Sequence, residues 1–152
     1  CRNGNITCSN IQTKEFSSQT SVGALSLNNI SADKVISVSS DSGNCILESA
    51  SSKQIKAMTK KGNYNFTKIN VKAFDFDIQA GKINAEFDKF IAENSGIQIS
   101  SGDVSILFPG NPTFYTNISV SKGRFRSTFP SDSNGPLISG KISSGNLLIS
   151  KK

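Results

Sequence analysis

The chain has 152 residues, 36% of them hydrophobic and 18% charged, with 17 Lys and Arg against 11 Asp and Glu. This length suits one domain, and the even spacing of Phe, Ile, Leu and Val excludes a disordered chain. No run of ~20 apolar residues is present, which excludes a membrane-spanning helix. The net charge of +6 favours an anionic partner such as a membrane surface, an acidic polysaccharide or nucleic acid.

A single glycine recurs along the chain from its first residues to its last. The glycines are Gly4, Gly23, Gly43, Gly62, Gly81, Gly102, Gly123 and Gly145, spaced 19 to 22 residues apart. This period, with apolar alternation inside each unit, indicates a β-solenoid in which each unit forms one coil. Glycine suits the turn because it adopts positive φ without a Cβ clash.

Two strands of each unit supply the predicted core. The strand after the glycine contributes Ile6 and Cys8, Leu25 and Leu27, Cys45 and Leu47, Tyr64 and Phe66, Ile83 and Ala85, Val104 and Ile106, Phe125 and Ser127, and Leu147 and Ile149. The strand that returns toward the next glycine contributes Phe16, Ile36 and Val38, Ile55 and Ala57, Phe74 and Phe76, Ile97 and Ile99, Ile118 and Val120, and Ile138 and Ile142. Stacked in parallel, these residues form columns of side chains inside the coil.

Two features interrupt the repeat. In residues 85–94, Phe87, Phe90 and Ile91 have helical spacing, so we expect a longer connecting arc with one helical turn. Residues 102–109 and 123–130 each end in Phe-Pro, and turn residues follow each proline. Because proline stops a strand, these endings predict two loops that bulge from the solenoid.

The cysteines predict no disulfide. Cys8 and Cys45 fall on inward positions two units apart. At ~4.8 Å per coil their backbones would be ~9.6 Å apart, beyond the ~7 Å reach of a disulfide. We therefore expect free buried thiols. The chain begins at Cys1 and not at Met, so we expect a boundary within a longer chain in preference to the lipid-carrying first Cys of a mature bacterial lipoprotein.

These patterns predict an all-β, single-domain parallel β-solenoid (a β-helix or β-roll) over residues 1–152, with about eight coils of about 20 residues. The (S/T)-x-G turns and the endings GDVSILFP, GRFRSTFP and SGNLLIS also resemble those of the bacterial adhesin-like family of β-solenoid domains. Head domains of some autotransporter adhesins are similar. The resemblance covers Gly4 to Ser150. It implies a right-handed solenoid at the cell surface and carries over no catalytic residues.

The residue types that support catalysis are scarce. The sequence contains no His, which removes the commonest general base and the His-dependent nucleophiles. Without C-x-x-C spacing the cysteines form no zinc site, and isolated glycines form no phosphate loop. We expect no metal, no cofactor and no enzymatic activity.

One pair of carboxylates keeps a polysaccharide-processing β-helix enzyme open as an alternative. Asp75 and Asp77 should point outward from one strand. Stacking would place them between two pairs of neighbours, Lys56 and Met58 on one side, Gly96 and Gln98 on the other. Without a third carboxylate, a solvated strand face is the better interpretation.

Six basic residues on or beside the glycine turns form the predicted partner-binding set: Lys60, Lys61, Lys82, Lys122, Arg124 and Arg126. Stacked turns form one edge of a solenoid, so several of these charges should align along it, with Asp103 interrupting them. A protein or an anionic glycan could dock there, while nucleic acid is disfavoured because outward aromatic residues are missing. The alternative is a charged edge that prevents aggregation.

We therefore predict a non-enzymatic, adhesin-like structural or binding module at an extracytoplasmic surface. Its rigid repeated faces suit extended contact with a protein or glycan partner. The first alternative is an accessory subunit of a large assembly, such as a mitochondrial or surface complex, with one flank packed against other proteins. The second is the polysaccharide-processing enzyme.

Overall fold

Every named element is a β-strand, and each strand bends around the solenoid. The computed structural model describes residues 1–89 and 91–152. The strands are β1 (Ile6–Val22), β2 (Leu25–Ser42), β3 (Cys45–Phe87), β4 (Ser95–Phe108), β5 (Tyr115–Ser127) and β6 (Leu137–Lys151). They form one sheet of parallel pairs with about seven turns of about 21 residues. The predicted all-β parallel solenoid is confirmed, and its eight glycines delimit these seven turns.

The predicted inward positions form the core. Ile6 pairs with Leu25, and Leu25 pairs with Cys45, so equivalent residues of successive coils lie directly above one another. Buried apolar side chains from every strand except the two outermost, β1 and β5, form one continuous cluster. The outermost coils contribute half-buried residues to it because each has a neighbour on one side only. These residues are Ile6, Cys8, Ile11 and Phe16 at one end and Ile118, Val120 and Phe125 at the other.

An aromatic chain runs through the middle coils toward the loops. Ring centroids lie 4.9 to 5.9 Å apart along the series Tyr64, Phe66, Phe76, Phe74, Phe87, Phe108 and Phe114. Phe129, just before the second predicted loop, packs edge-on against Phe114, just after the first. Both loops are therefore anchored in the core by aromatic side chains.

The stack departs from chain order at one end. The sheet order is β1-β2-β3-β4-β6-β5, so β6 lies between β4 and β5. The chain passes from β4 to the outermost position in β5 and then returns to fill the gap. The pair Leu147 and Ile149 on β6 is fully buried, whereas Phe125 and Ser127 on β5 are half-buried. The more apolar strand therefore occupies the inner position, where more apolar surface is removed from water.

The arc after β3 differs from the sequence prediction. β3 continues as a strand to Phe87, and no residue of the described chain is helical, so the predicted helical turn is wrong. The amide groups of Ala92 and Glu93 both donate to the Lys72 carbonyl, which fixes the arc against β3. Ile91 is buried as a core residue. Phe90, part of the same prediction, lies outside the described residues.

Candidate functional site

The eight glycines form one edge of the solenoid, here called the glycine edge. A rung denotes a turn glycine with the three residues on either side, and rungs are numbered by their place in the stack. Gly102 carries the sixth rung, Gly145 the seventh and Gly123 the eighth. A Cβ on Gly145 would lie 1.7 Å from the Gly102 carbonyl oxygen, and one on Gly123 would lie 1.7 Å from that of Gly145. No side chain fits between rungs this close.

The six predicted basic residues lie on this edge at different heights. They are Lys60 and Lys61 on the fourth rung, Lys82 on the fifth, and Lys122, Arg124 and Arg126 on the eighth. The sixth rung carries Asp103, and the seventh, residues 142–148, has no charged residue. The basic residues therefore form two groups, one in the middle of the stack and one at its end.

The middle group is largely neutralised by neighbouring coils. Lys60 Nζ lies 2.8 Å from Asp41 Oδ1, and the hydrogen bond from Lys60 lowers the pKa of the Asp41 carboxyl. Lys82 Nζ lies 3.8 Å from Asp103 Oδ2. None of the ion pairs found among residues 1–89 and 91–152 involves the other four basic residues, Lys61, Lys122, Arg124 and Arg126.

The end group lies on an open strand edge. β5 pairs with β6 along one side and is the last strand of the sheet. Lys122, Arg124 and Arg126 are exposed, and Phe125 between them is half-buried against the core. The outer side of β5 therefore combines unpaired backbone groups, three cations and a partly uncovered aromatic ring. Open edges of this kind can pair with a further strand.

The column below Arg124 shows how neighbouring rungs interact. Arg124 pairs with Asn146, and Asn146 pairs with Asp103. The Asp103 carboxylate accepts hydrogen bonds from both the backbone and the side-chain amide of Asn146, at 3.2 and 2.8 Å. Residues just after the glycine thus contact one another from rung to rung, and a residue placed above Arg124 would meet a cation.

The predicted carboxylate pair lies on the sheet face formed by the returning strands. Asp75 is exposed and Asp77 half-buried, and they pair with Gly96 and Gln98 as predicted. Both line a shallow depression of about 480 Å³, whose other charged side chain is Lys56. No group of three or more His, Cys, Asp and Glu that could hold a metal ion is found in the described part of the chain.

The thiols and the Tyr64 phenol on inward positions are covered to different degrees. All three cysteines are free: Cys45 is buried, Cys8 half-buried and Cys1 exposed. Free inward thiols at the two predicted positions are confirmed, with Cys8 only partly covered. Burial raises the pKa of the Cys45 thiol to about 12. The Tyr64 hydroxyl donates a 2.7 Å hydrogen bond to the Met58 carbonyl, and burial raises its pKa.

Sequence reasoning placed three cations beside a glycine turn but did not predict that this turn belongs to an outermost strand, and it missed the neutral residues that complete the open edge. Tyr115, Ile118, Val120 and Phe125 are incompletely covered because β5 is outermost. The sequence contains one weak signal of this outer position: the mixed pair Phe125 and Ser127 is less apolar than the equivalent pairs of the neighbouring units. No helix with the length and hydrophobicity of a membrane span occurs in the described ranges.

Comparison with known proteins identifies a family that covers almost the whole chain. The family model described as Toastrack DUF4097 matches residues 1–147. No curated protein and no solved structure matches the chain.

Proposed function

This chain belongs to the Toastrack DUF4097 family, and the family description names no activity. From the geometry of the chain we propose that it is a non-enzymatic binding module. It binds an anionic partner at the open edge of β5. One observation carries the proposal: Lys122, Arg124 and Arg126 are exposed on an unpaired strand edge, with no ion pair to any described residue. Clustered cations without internal partners attract an anionic surface.

The candidate catalytic groups support binding in preference to catalysis. The sequence has no His, and the Asp75–Asp77 face includes one other charged side chain, Lys56, around its depression. Hydrolysis of a glycosidic bond needs one carboxyl group as acid and another as base or nucleophile on opposite sides of the bond. Two carboxylates two residues apart on one flat strand face do not enclose a sugar ring in that way.

The cellular setting we propose is an extracytoplasmic surface, where the module acts as an adhesin-like domain for an acidic protein or an anionic glycan. The resemblance of the turn motifs to adhesin-like solenoids supports this setting. The assembly-subunit alternative, including its mitochondrial form, would be favoured by a long apolar flank. The large exposed apolar residues of the described chain are instead scattered, as with Ile46 on the third rung and Leu148 on the seventh.

The test uses poly-L-glutamate as the probe, with binding measured by biolayer interferometry at low and physiological ionic strength. The triple variant Lys122→Gln, Arg124→Gln, Arg126→Gln removes the cations from the edge. Exposed charge pairs contribute about 0.2–1 kcal/mol each, so removing three cations should weaken the affinity by roughly 3- to 160-fold. Binding of the unmodified chain should weaken with added salt.

The matched control removes the same charge from another part of the surface. Lys14, Lys53 and Lys72 are exposed on β1 and β3, and their triple substitution by Gln should leave the affinity within about twofold, since distant surface charges are screened. Equal losses in both triple variants would mean that net charge attracts the probe and would contradict a site on β5.

A further inference from the structure

The open edge of β5 has the shape of a template for one more coil. Twelve of its 13 residues pair with β6 along one side, and the backbone hydrogen-bonding groups on the other side of the strand face outward. At each inner junction the glycine of one rung lies against the carbonyl oxygen of the rung below it, where an added Cβ would come within 1.7 to 2.1 Å. The carbonyl of Gly123 is the last of this series, and a strand that continues the stack must present glycine to it.

The side chains around Gly123 define what the added strand must carry. Lys122, Arg124 and Arg126 are exposed on either side of half-buried Phe125. In a parallel pair, residues at equivalent positions of adjacent strands lie side by side, as Arg124 does with Asn146. Carboxylates opposite the three cations and an apolar residue opposite Phe125 would complement the edge.

A second copy of this chain does not meet that requirement. Stacking β1 on β5 in the same register would place Asn3, Asn5 and Thr7 opposite the cations and would add Arg2 beside them, with no carboxylate. Two copies of β5 pairing antiparallel about Arg124 would place Lys122 opposite Arg126. Like charges directly opposite are destabilising, so the charge pattern points to a different chain.

We propose that the partner adds a strand parallel to β5 and supplies the sequence acidic–Gly–acidic–apolar–acidic opposite residues 122–126. This inference rests on the proposed function and specifies the chemistry of the partner at that site. Main-chain hydrogen bonds provide the attachment, and alternate side chains provide the selectivity, as in other strand-addition interfaces. The partner is thus an extended acidic protein segment with a glycine in register with Gly123.

The test compares two synthetic peptides that differ by one methyl group. The first has the centre Glu-Gly-Glu-Val-Glu flanked by alternating Ser and Val, and the second has Ala in place of the glycine. Strand addition predicts that the alanine peptide binds at least roughly tenfold more weakly, because a Cβ cannot approach the Gly123 carbonyl without strain. A third peptide, with the same composition and contiguous glutamates, should also bind more weakly, since its charges fall out of register.

The outcomes separate this inference from the proposed function. Equal binding of the glycine and alanine peptides, lost in the Lys122→Gln, Arg124→Gln, Arg126→Gln variant, would overturn strand addition and leave an electrostatic site. Failure of every acidic peptide and of poly-L-glutamate to bind would overturn both. Concentration-dependent end-to-end association in analytical ultracentrifugation would overturn the choice of partner, because a second copy would then occupy the edge.

Discussion

Gly123 packs on Gly145 and not on Gly102, although Gly102 carries the preceding repeat in the chain. β6 is therefore enclosed between two coils, and β5 forms the end of the solenoid. Lys122, Arg124 and Arg126 lie on an open edge, whereas Lys82 lies inside the stack against Asp103.

The close stacking of the glycines predicts a large effect of Gly145→Ala. The new Cβ would lie 1.7 Å from the Gly102 carbonyl oxygen, on a residue with φ of +128°. We expect the free energy of unfolding, measured with urea, to fall by more than about 4 kcal/mol, or folding to fail. The control is Gly4→Ala, where φ is +129° but the nearest heavy atom is Cys1 Sγ at 3.7 Å. That variant should lose only the ~1–3 kcal/mol of backbone strain; similar losses would show that contact between rungs is not the cause.

The strand order predicts which engineered cysteines can form a disulfide. Ser105 pairs with Leu148, and Leu148 pairs with Arg126. In a background without native cysteines, Ser105→Cys with Leu148→Cys should oxidise, because adjacent strands are ~4.8 Å apart. Ser105→Cys with Arg126→Cys should stay reduced at ~9.6 Å, two strands away. Mass spectrometry after mild oxidation shows which variant forms a disulfide. A disulfide in the Ser105→Cys, Arg126→Cys variant and none in the other would show that β5 lies directly on β4.

The aromatic chain predicts that the stability lost on replacing a core Phe by Ala depends on the position of that Phe along the stack. Phe76 is fully buried, with ring centroids 5.9 Å from Phe66 and 4.9 Å from Phe74. Phe76→Ala should lower the free energy of unfolding by about 3–5 kcal/mol. Phe125→Ala, on the half-covered outer coil, should cost less than about 2 kcal/mol, since less apolar surface is removed. Thermal unfolding distinguishes the two, and a larger loss at Phe125 would place β5 inside the stack.

Burial of Cys45 predicts a loss of stability in alkaline solution. Its pKa is raised to about 12 in the folded chain, against about 8.5 in an unfolded one. Between these values the unfolded chain releases a proton that the folded chain keeps, so the free energy of unfolding falls as pH rises, by up to ~1.4 kcal/mol per pH unit. Below about pH 8.5 the Cys45 thiol should not change how the free energy of unfolding depends on pH. Tyr64, whose pKa is also raised, adds a second decline at higher pH.

The control for the alkaline decline is Cys45→Ala. This variant keeps Tyr64, so its stability should stay flat up to about pH 10 and then fall. Denaturant unfolding at a series of pH values provides the measurement. A decline that begins at the same pH in both chains would rule out Cys45 as its source.

Most of the fold could be predicted because two local rules repeat. Glycine is needed wherever a rung lies on the rung below, and inward residues must be apolar at every second position. A second corner of the coil was harder to recognise. Asn10, Asn29, Ser49 and Lys68 all have φ between +53° and +58° there. Asparagine tolerates this conformation, but Ser49 and Lys68 give no such signal, because the coils on either side impose the bend.

The order of the last two coils could not be predicted from the repeat. Both units have the same period and alternation, so either could lie next to β4. The distinction depends on total buried apolar surface, which favours Leu147 and Ile149 inside over Phe125 and Ser127. Prediction of the candidate site was limited in the same way. Lys60 pairs with Asp41 and Lys82 with Asp103, and both carboxylates come from adjacent coils.

Site-resolved amide hydrogen exchange of β5, with and without the Glu-Gly-Glu-Val-Glu peptide, tests whether this strand is an open edge that accepts an acidic strand. Alternate amides between Tyr115 and Ser127 should exchange quickly in the free chain, because they point away from β6, and become protected when the peptide binds. The amides of β4, which lies inside the stack, should be protected throughout. Uniform protection of β5 in the free chain, or no change on binding of the peptide, would contradict an open edge that accepts an acidic strand.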